Sequence, residues 1–279
     1  TFRHISSAVL GIVVFLFWWL FYPYALSFQE QNQLFLFTWD YFSERISLSG
    51  GLADYIAEFI TPFSYIPYLG EALLAVVFVI FQKAIALSID RDEWYVLSFV
   101  APVMMLVYMS DIYVMLSYLV ALIAAVLLCA LYRRHPGIIW AGIATVLGYW
   151  LIGPAIFVFT LFAVIRERNC KSLILIALSV IVVVASRFTY LQQYPWKTVI
   201  FGINYYRLPI TVPAMQLIIA AVTALIPAFS DLLPKPRRIL DISLGLLILA
   251  GGIVGCWLNY EKDAVELIAY DQMVRHEDW

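Results

Sequence analysis

Charge is what this chain has least of for its size. Only 13% of its 279 residues are Asp, Glu, Lys or Arg, while 64% are hydrophobic and the mean hydropathy is +0.90. Soluble domains run nearer about 25% charged and about 45–50% apolar, and no soluble fold of this length hides so much apolar surface. There is no surplus of basic residues either: the net charge of -2 excludes nucleic acid as a partner, because phosphate binding calls for a basic patch. Histidine is nearly missing. His4, His135 and His276 are far apart, with no His-x-x-x-His pair, which excludes a zinc intramembrane protease. A phosphate loop of the Gly-x-x-x-x-Gly-Lys type is absent, and so is the Gly-x-Ser-x-Gly elbow of a triad hydrolase. Cys129, Cys170 and Cys256 have no spacing that makes a disulfide framework or a metal knuckle. No small-residue cleavage site follows the first apolar run, so that run reads as a span and not as a signal peptide.

Long apolar runs are what the chain has in abundance. A helical span needs roughly 20 apolar residues. Such segments cover Ala8–Tyr22, Glu71–Ile89, Trp94–Met109, Ile112–Tyr132, Ile138–Ile152, Pro154–Ile165, Ser172–Ser186, Thr211–Phe229 and Ile239–Leu258. The expected fold is therefore all-α, a polytopic transmembrane bundle of about nine spans. The fifth and sixth segments are short and split by Gly153-Pro154, as tight antiparallel spans or as one broken re-entrant pair. Arg3, Arg133, Arg134, Arg166, Arg168, Lys171, Lys235, Arg237 and Arg238 all fall on one side of this layout, which the positive-inside rule makes cytoplasmic. The expected placement is multi-pass in a bacterial inner membrane, N-terminus in and C-terminus out. Fusing the two short segments into one span would reverse everything after Gly153, against the charge rule.

The transmembrane module runs over 1–258, with 23–70 as its first outer loop. Leu34, Phe37, Tyr41, Arg45 and Ile46 repeat at helical spacing, and after Gly50-Gly51 so do Leu52, Tyr55, Ile56, Phe59 and Ile60. Asp54 and Glu58 fall on the opposite, polar face of that second helix. Two amphipathic helices rich in Phe, Tyr and Trp suit the membrane interface. Residues 259–279 read as the start of an outer helical tail, with Tyr260, Ala264, Leu267, Ile268 and Val274 on one face. The outer loop and the tail are the surfaces for a protein partner.

Ionisable groups near membrane depth are expensive, so each requires an explanation. Glu30 stands in a polar cluster, Phe28-Gln29-Glu30-Gln31-Asn32-Gln33, directly after the first span, and Asp40 lies about three turns on. Asp111 lies in the short outer turn Met109-Ser110-Asp111. Arg187, Lys197 and Arg207 are the cations of the last long outer loop, among Tyr190, Tyr194, Trp196, Tyr205 and Tyr206. Taken together, the acids supply a general base or hold a divalent cation, Mg or Mn, and the cations hold a phosphate. Taken singly, Glu30 caps a helix, Asp111 is the N-cap of the fourth span, Asp40 lies on a solvated face, and the three cations snorkel. Lys83, inside the second span, snorkels inward, and Glu71 is a helix-start acid.

The layout resembles the GT-C superfamily of membrane glycosyltransferases. In that family an acid early in a long first outer loop and a second acidic site between spans three and four carry catalysis. Gln29-Glu30-Gln31 and Ser110-Asp111 stand at those places. The resemblance implies transfer of a sugar from a polyprenyl-phosphate donor, with Glu30 and Asp111 catalytic and with Asp40, Arg187, Lys197, Arg207 and Tyr205 binding substrate. It differs in having no acid beside Glu30 and no Asp-x-Asp at Asp111. The chain is also similar to an uncharacterised bacterial membrane family with a periplasmic helical-repeat tail. Two other functions stay open on the residues alone: a non-catalytic assembly subunit, and a transporter with helices broken at Gly153-Pro154.

Overall fold

The computed structural model describes residues 2–22, 35–66, 68–89, 91–111, 113–167, 172–202, 213–236 and 238–260, with 262, 265–267, 270 and 274 beyond them. Among these the chain is all-helical, with no β-strand. α1 is Phe2–Phe21, and the first loop carries two short helices, α2 (Trp39–Ile46) and α3 (Gly51–Ile60). α4 is Leu69–Ser88, and a 3-10 segment, Asp92–Phe99, leads into α5 (Val100–Met109). Then come α6 (Leu116–Arg134), α7 (Ile138–Ile152), α8 (Ile156–Glu167), α9 (Ser172–Phe188), α10 (Trp196–Phe201), α11 (Ala214–Phe229) and α12 (Arg238–Leu258). Seven of the described helical stretches are long and apolar enough to cross a membrane, and Ser172–Phe188 is a shorter apolar one.

α6 is the hub of the bundle. It packs against α3, α4, α7, α8 and α11. Ser117, Ala121, Ala125 and Cys129 are all fully buried on it. Small residues one turn apart let neighbouring backbones come close, which is how helices associate where lipid removes the hydrophobic drive. α1 and α4 run antiparallel, with Phe78 and Phe81 buried and Gly11 against Val79. α12 is attached by one face only. Methyl groups at Gly252 and Gly255 would come within 2.6 and 2.8 Å of the Val103 and Val107 side chains, so only glycine permits this approach to α5.

One of the seven long stretches, Ile138–Glu167, is not a single rod. Gly153 adopts φ 68°, a backbone region that favours glycine, and Pro154 follows. The hydroxyls of Thr145 and Thr160 lie 3.2 Å apart. In a continuous helix, fifteen residues would separate them by about 22 Å. α7 and α8 therefore fold back as an antiparallel hairpin, packed so closely that a Cβ on Gly148 would overlap Ile156. At Gly153-Pro154 the chain reverses and is not one continuous helix.

The bundle has two distinct ends. At the basic end, Asp231 is gripped by Arg133 (2.8 Å) and by Arg166. Arg3 pairs with Asp92 at 2.5 Å, Lys235 with Glu93 at 3.1 Å, and Arg91 donates to the Leu233 carbonyl. The opposite, loop end carries α2, α3 and α10. Tyr260, just past α12, lies edge-on to Tyr22, just past α1, at 5.5 Å, so the last helix ends where the first one ends.

The hairpin is directly testable. In a cysteine-free background, Thr145→Cys with Thr160→Cys should form a disulfide on mild oxidation, read as protection of both thiols from maleimide by mass spectrometry. Two freely labelled thiols would mean a continuous helix.

Candidate functional site

The loop end is built around a short helical corner. Thr38 caps α2, its hydroxyl accepting from the Tyr41 amide at 3.2 Å. Gly50 at φ 88° turns the chain, and Gly51 follows so close to the Arg45 carbonyl that no side chain fits there. The glycine pair thus folds α3 back on α2. This brings Tyr41 and Arg45, one turn apart on α2, against Glu58 on α3.

Glu58 is buried, with 3% of its surface exposed. Tyr41 donates its hydroxyl to Glu58 Oε2 at 2.5 Å, and Arg45 Nη2 lies 2.9 Å from Oε1. Arg45 Nε donates to the Tyr41 hydroxyl at 3.1 Å, and its guanidinium sits 5.0 Å from the Tyr41 ring centre. Asp54 is one turn earlier on the same face of α3, and Ser117, at the start of α6, hydrogen-bonds its carboxyl. Although part of Asp54 stays accessible, its carboxyl lies deep enough for burial to be the main cause of its shift. Burial and then the neighbouring Glu58 charge push Asp54 up to about 8, against the opposing pull of Ser117 and Arg45. Burial also raises Glu58, more than Tyr41 and Arg45 lower it. Two carboxyls share one cation, and the site holds a proton at neutral pH.

The polar face of α3 therefore does not face solvent, as the helical pattern led us to expect. It is turned inward because its partners, Arg45, Tyr41 and Ser117, come from elements that sequence alone does not place beside it. The signal was there in a weaker form: Tyr41/Arg45 and Asp54/Glu58 are both i, i+4 pairs of complementary chemistry, joined by a glycine hinge.

The loop end is stitched to the hairpin apex. Ser49 donates to the Tyr149 carbonyl (2.6 Å), the Gly50 amide to the Trp150 carbonyl (2.8 Å), and the Tyr149 hydroxyl to the Val199 carbonyl (2.7 Å). Beside the apex, a groove of about 280 Å³ runs between α8, α10 and α11, lined by Tyr118, Pro154, Phe157, Leu161, Phe201 and Leu217. Its wall is nearly all apolar. Gln216 adds a polar side chain, which accepts from Tyr108 and donates to the Phe201 carbonyl, while Tyr118 donates to the Gln216 backbone carbonyl. A larger trough of about 540 Å³ between α7 and α9 is lined by aliphatic side chains and glycine alone, and has nothing with which to do chemistry.

The candidate residues read from the sequence fare differently. Glu30, Arg207 and Tyr205 lie outside the described residues, as does most of the tail from 261 onward. Asp111 does not cap α6, which begins at Leu116 with Met115 as its cap. Its Oδ1 instead accepts from the Tyr113 amide at 3.0 Å and closes the turn ahead of the helix. Asp40 lies exposed in the first turn of α2, where the helix dipole favours an acid. Arg187 donates to the Gln192 carbonyl (2.7 Å) and lies 5.7 Å from the Trp196 ring, holding its own loop, while Lys197 is exposed. Glu71 lies in the first turn of α4, as expected of a helix-start acid. Among the described residues, no three His, Cys, Asp or Glu side chains cluster as a metal site.

A bundle of apolar helices long enough to cross a membrane, with a buried acid pair in the loops at one end, defines the class: an all-helical, multi-pass membrane protein. The chain belongs to DUF6057, a family of unknown function, whose model matches residues 1–279. No curated protein and no solved structure matches the chain.

Two predictions follow from this geometry. A raised carboxyl binds its proton more tightly in the folded state, so its contribution is complete below the unfolded value near 4 and is lost as pH rises through about 8. Melting in detergent should therefore drop between pH 6 and pH 9 in the native protein and stay flatter in Asp54→Asn; equal slopes would refute the assignment. Separately, Arg45→Met should destabilise by about 1–3 kcal/mol by stranding the buried Glu58, and Arg45→Met with Glu58→Gln should recover most of it, as read by a denaturant double-mutant cycle.

Proposed function

We propose that this protein is a membrane transferase of the GT-C type, which moves a sugar from a polyprenyl-phosphate donor at the loop end of the bundle. The observation that carries this reading is the buried Asp54–Glu58 pair, held by Arg45, Tyr41 and Ser117. Buried acids with shifted affinities, sitting beside a groove, are what acid–base chemistry requires. Consecutive residues of α6 link the two features: Ser117 bonds Asp54, and Tyr118 lines the groove. The apolar groove suits an isoprenoid chain. With its arginines inside, the basic end faces the cytoplasm of a bacterial inner membrane, and the loop end faces outward with α2 and α3 at the interface.

In the proposed step an acceptor hydroxyl attacks the anomeric carbon, the bond from that carbon to the phosphate oxygen breaks, and polyprenyl phosphate leaves with the electron pair. The acceptor proton goes to the carboxylate of Asp54, whose raised affinity makes it a stronger base than an ordinary aspartate. Glu58, fixed by Arg45, sets that affinity by its charge. Glu30 and Asp111 are the further acids that the family resemblance assigns to the same end, and Mg or Mn is the ion they would share. Arg187, Lys197 and Arg207 are the cations for the leaving phosphate, with Asp40 and Tyr205 toward the sugar.

A second reading is favoured by a specific observation: α12 is packed on one face only, and Trp257, Leu258, Leu246 and Leu247 stand exposed. A scaffold subunit would use that face and the loop end to dock a partner. It predicts a stoichiometric partner and no transfer.

The deciding measurement is release of polyprenyl phosphate from a polyprenyl-phosphate sugar by protein in liposomes. Asp54→Asn should lower kcat by about 100-fold or more, the range for losing a general base, with melting at pH 6 preserved. The rate in the native protein should rise with pH toward 8. Full turnover in a folded Asp54→Asn, or no release by the native protein with any donor, would overturn the reading.

A further inference from the structure

Lys83 is, among the described residues, the charge set deepest inside an apolar helix. It lies five residues before the end of α4 at Ser88, about 8 Å inside the basic end at the helical rise per residue. It shares a stripe with Val76, Ile80 and Leu87, at i, i+4, i+7 and i+11, and those three neighbours are exposed. The cation is therefore on the lipid-facing side of α4 and not in the core.

Its surroundings are cationic. Lys83 Nζ donates to the Tyr95 hydroxyl at 3.2 Å and lies 5.7 Å from the centre of that ring. The Arg3 guanidinium lies 5.3 Å from the same ring. Asp92 takes the Arg3 charge at 2.5 Å, but among the described residues no carboxylate pairs with Lys83. Tyr95 is itself committed, donating to the Arg3 carbonyl (3.0 Å) and lying 2.8 Å from the Ser7 hydroxyl. Behind it Ser7, Gln82 and Ser98 form a closed, buried chain, with bonds of 2.7 Å (Ser7 to Gln82) and 2.6 Å (Gln82 to Ser98). The platform is thus fixed, and among the described residues no counter-charge meets the ammonium at its edge. An ammonium in hydrocarbon costs several kcal/mol unless it meets an anion or the headgroup layer, and basic pockets between helices hold lipid phosphates for that reason.

We infer that Lys83, with Arg3 across the Tyr95 ring, binds the phosphate of an anionic phospholipid in the leaflet at the basic end. The acyl chains lie along Ile80 and Val76, toward the middle of the bilayer. Arg3 keeps N–H donors beyond the two facing Asp92, and the Lys83 ammonium adds two more. The same phosphate chemistry exists in a soluble ester such as glycerol phosphate; the apolar stripe running on from Lys83 selects the lipid. This site stands at the end opposite Asp54 and does not depend on the transferase reading.

The test is lipid retention by the full chain, delipidated in neutral detergent and then given equal phosphatidylglycerol and phosphatidylcholine, with bound lipid read by native mass spectrometry. The native protein should retain phosphatidylglycerol in preference. Lys83→Met should lower that retention about fivefold, which corresponds to roughly 1 kcal/mol for one cation near the surface. Lys83→Arg, which keeps the charge, should retain it, and so should Lys262→Met, an exposed lysine past the other end. Equal retention by native protein and a folded Lys83→Met would overturn the site. So would an equal loss in Lys262→Met, which would mean bulk charge alone, or displacement of the lipid by equimolar glycerol phosphate, which would make it a soluble-ester site.

Discussion

The reversal at Gly153 is the constraint on which the rest of the architecture depends. A left-handed glycine followed by proline turns α7 back as α8, and the chain after it is delivered to the same end it came from. Only because of this does Arg166 arrive beside Arg133, so that both can hold Asp231. Only because of this does α9 run back to the loop end, where α10 offers the Val199 carbonyl to Tyr149. Straightened into one rod, Ile138–Glu167 would send Arg166 to the far end and leave Asp231 with one partner. The local steric preference of one glycine thus becomes a global statement about which charges share an end.

Much of this organisation was legible in the sequence, for a simple reason. In apolar surroundings the backbone must satisfy its own hydrogen bonds, so length and hydropathy alone decide which segments are helices. Each apolar segment expected from composition is helical over most of its described residues, the fourth only from Leu116 on, and Arg3, Arg133, Arg166 and Lys235, among the basic residues expected on one side, gather at one end. The Gly153-Pro154 break was visible as a break, but its direction was not. Two short apolar arms read the same whether they continue or fold back, and the choice rests on the contact of Thr145 with Thr160.

The candidate site was less legible, because it is a property of pairs. A carboxylate on the polar face of an amphipathic helix reads as solvated, and Glu58 would be so if α3 lay alone. It is buried because Gly50 and Gly51 set α2 against it, and its neighbour Asp54 is bonded by Ser117, which α6 supplies from more than sixty residues away. Asp111 is a local feature by contrast: its carboxylate accepts from the amide two residues on, a bond that many turns give to Asp. The acid pair depends on which residues share one carboxylate, and spacing along one helix records only half of that.

Charge balance is what connects the two ends. At the basic end Asp92, Asp231 and Glu93 hold Arg3, Arg133, Arg166 and Lys235 in close pairs, which tie the helix ends together there. Surface pairs of this kind add little stability each, but a shared acid such as Asp231 ties three helices at once. At the loop end the ratio is inverted: among the described residues, Asp54 and Glu58 share the one cation Arg45. Two buried carboxylates cannot both ionise against one guanidinium, so the surplus is met by a proton, and that proton sits where α2, α3 and α6 converge. An interior that resolved every charge by a rigid pair would have nothing to exchange. Here the exchangeable species is set apart from the locked end by the length of the bundle. The acid pair and the ion pairs that hold the helices in register thus lie at opposite ends of the bundle.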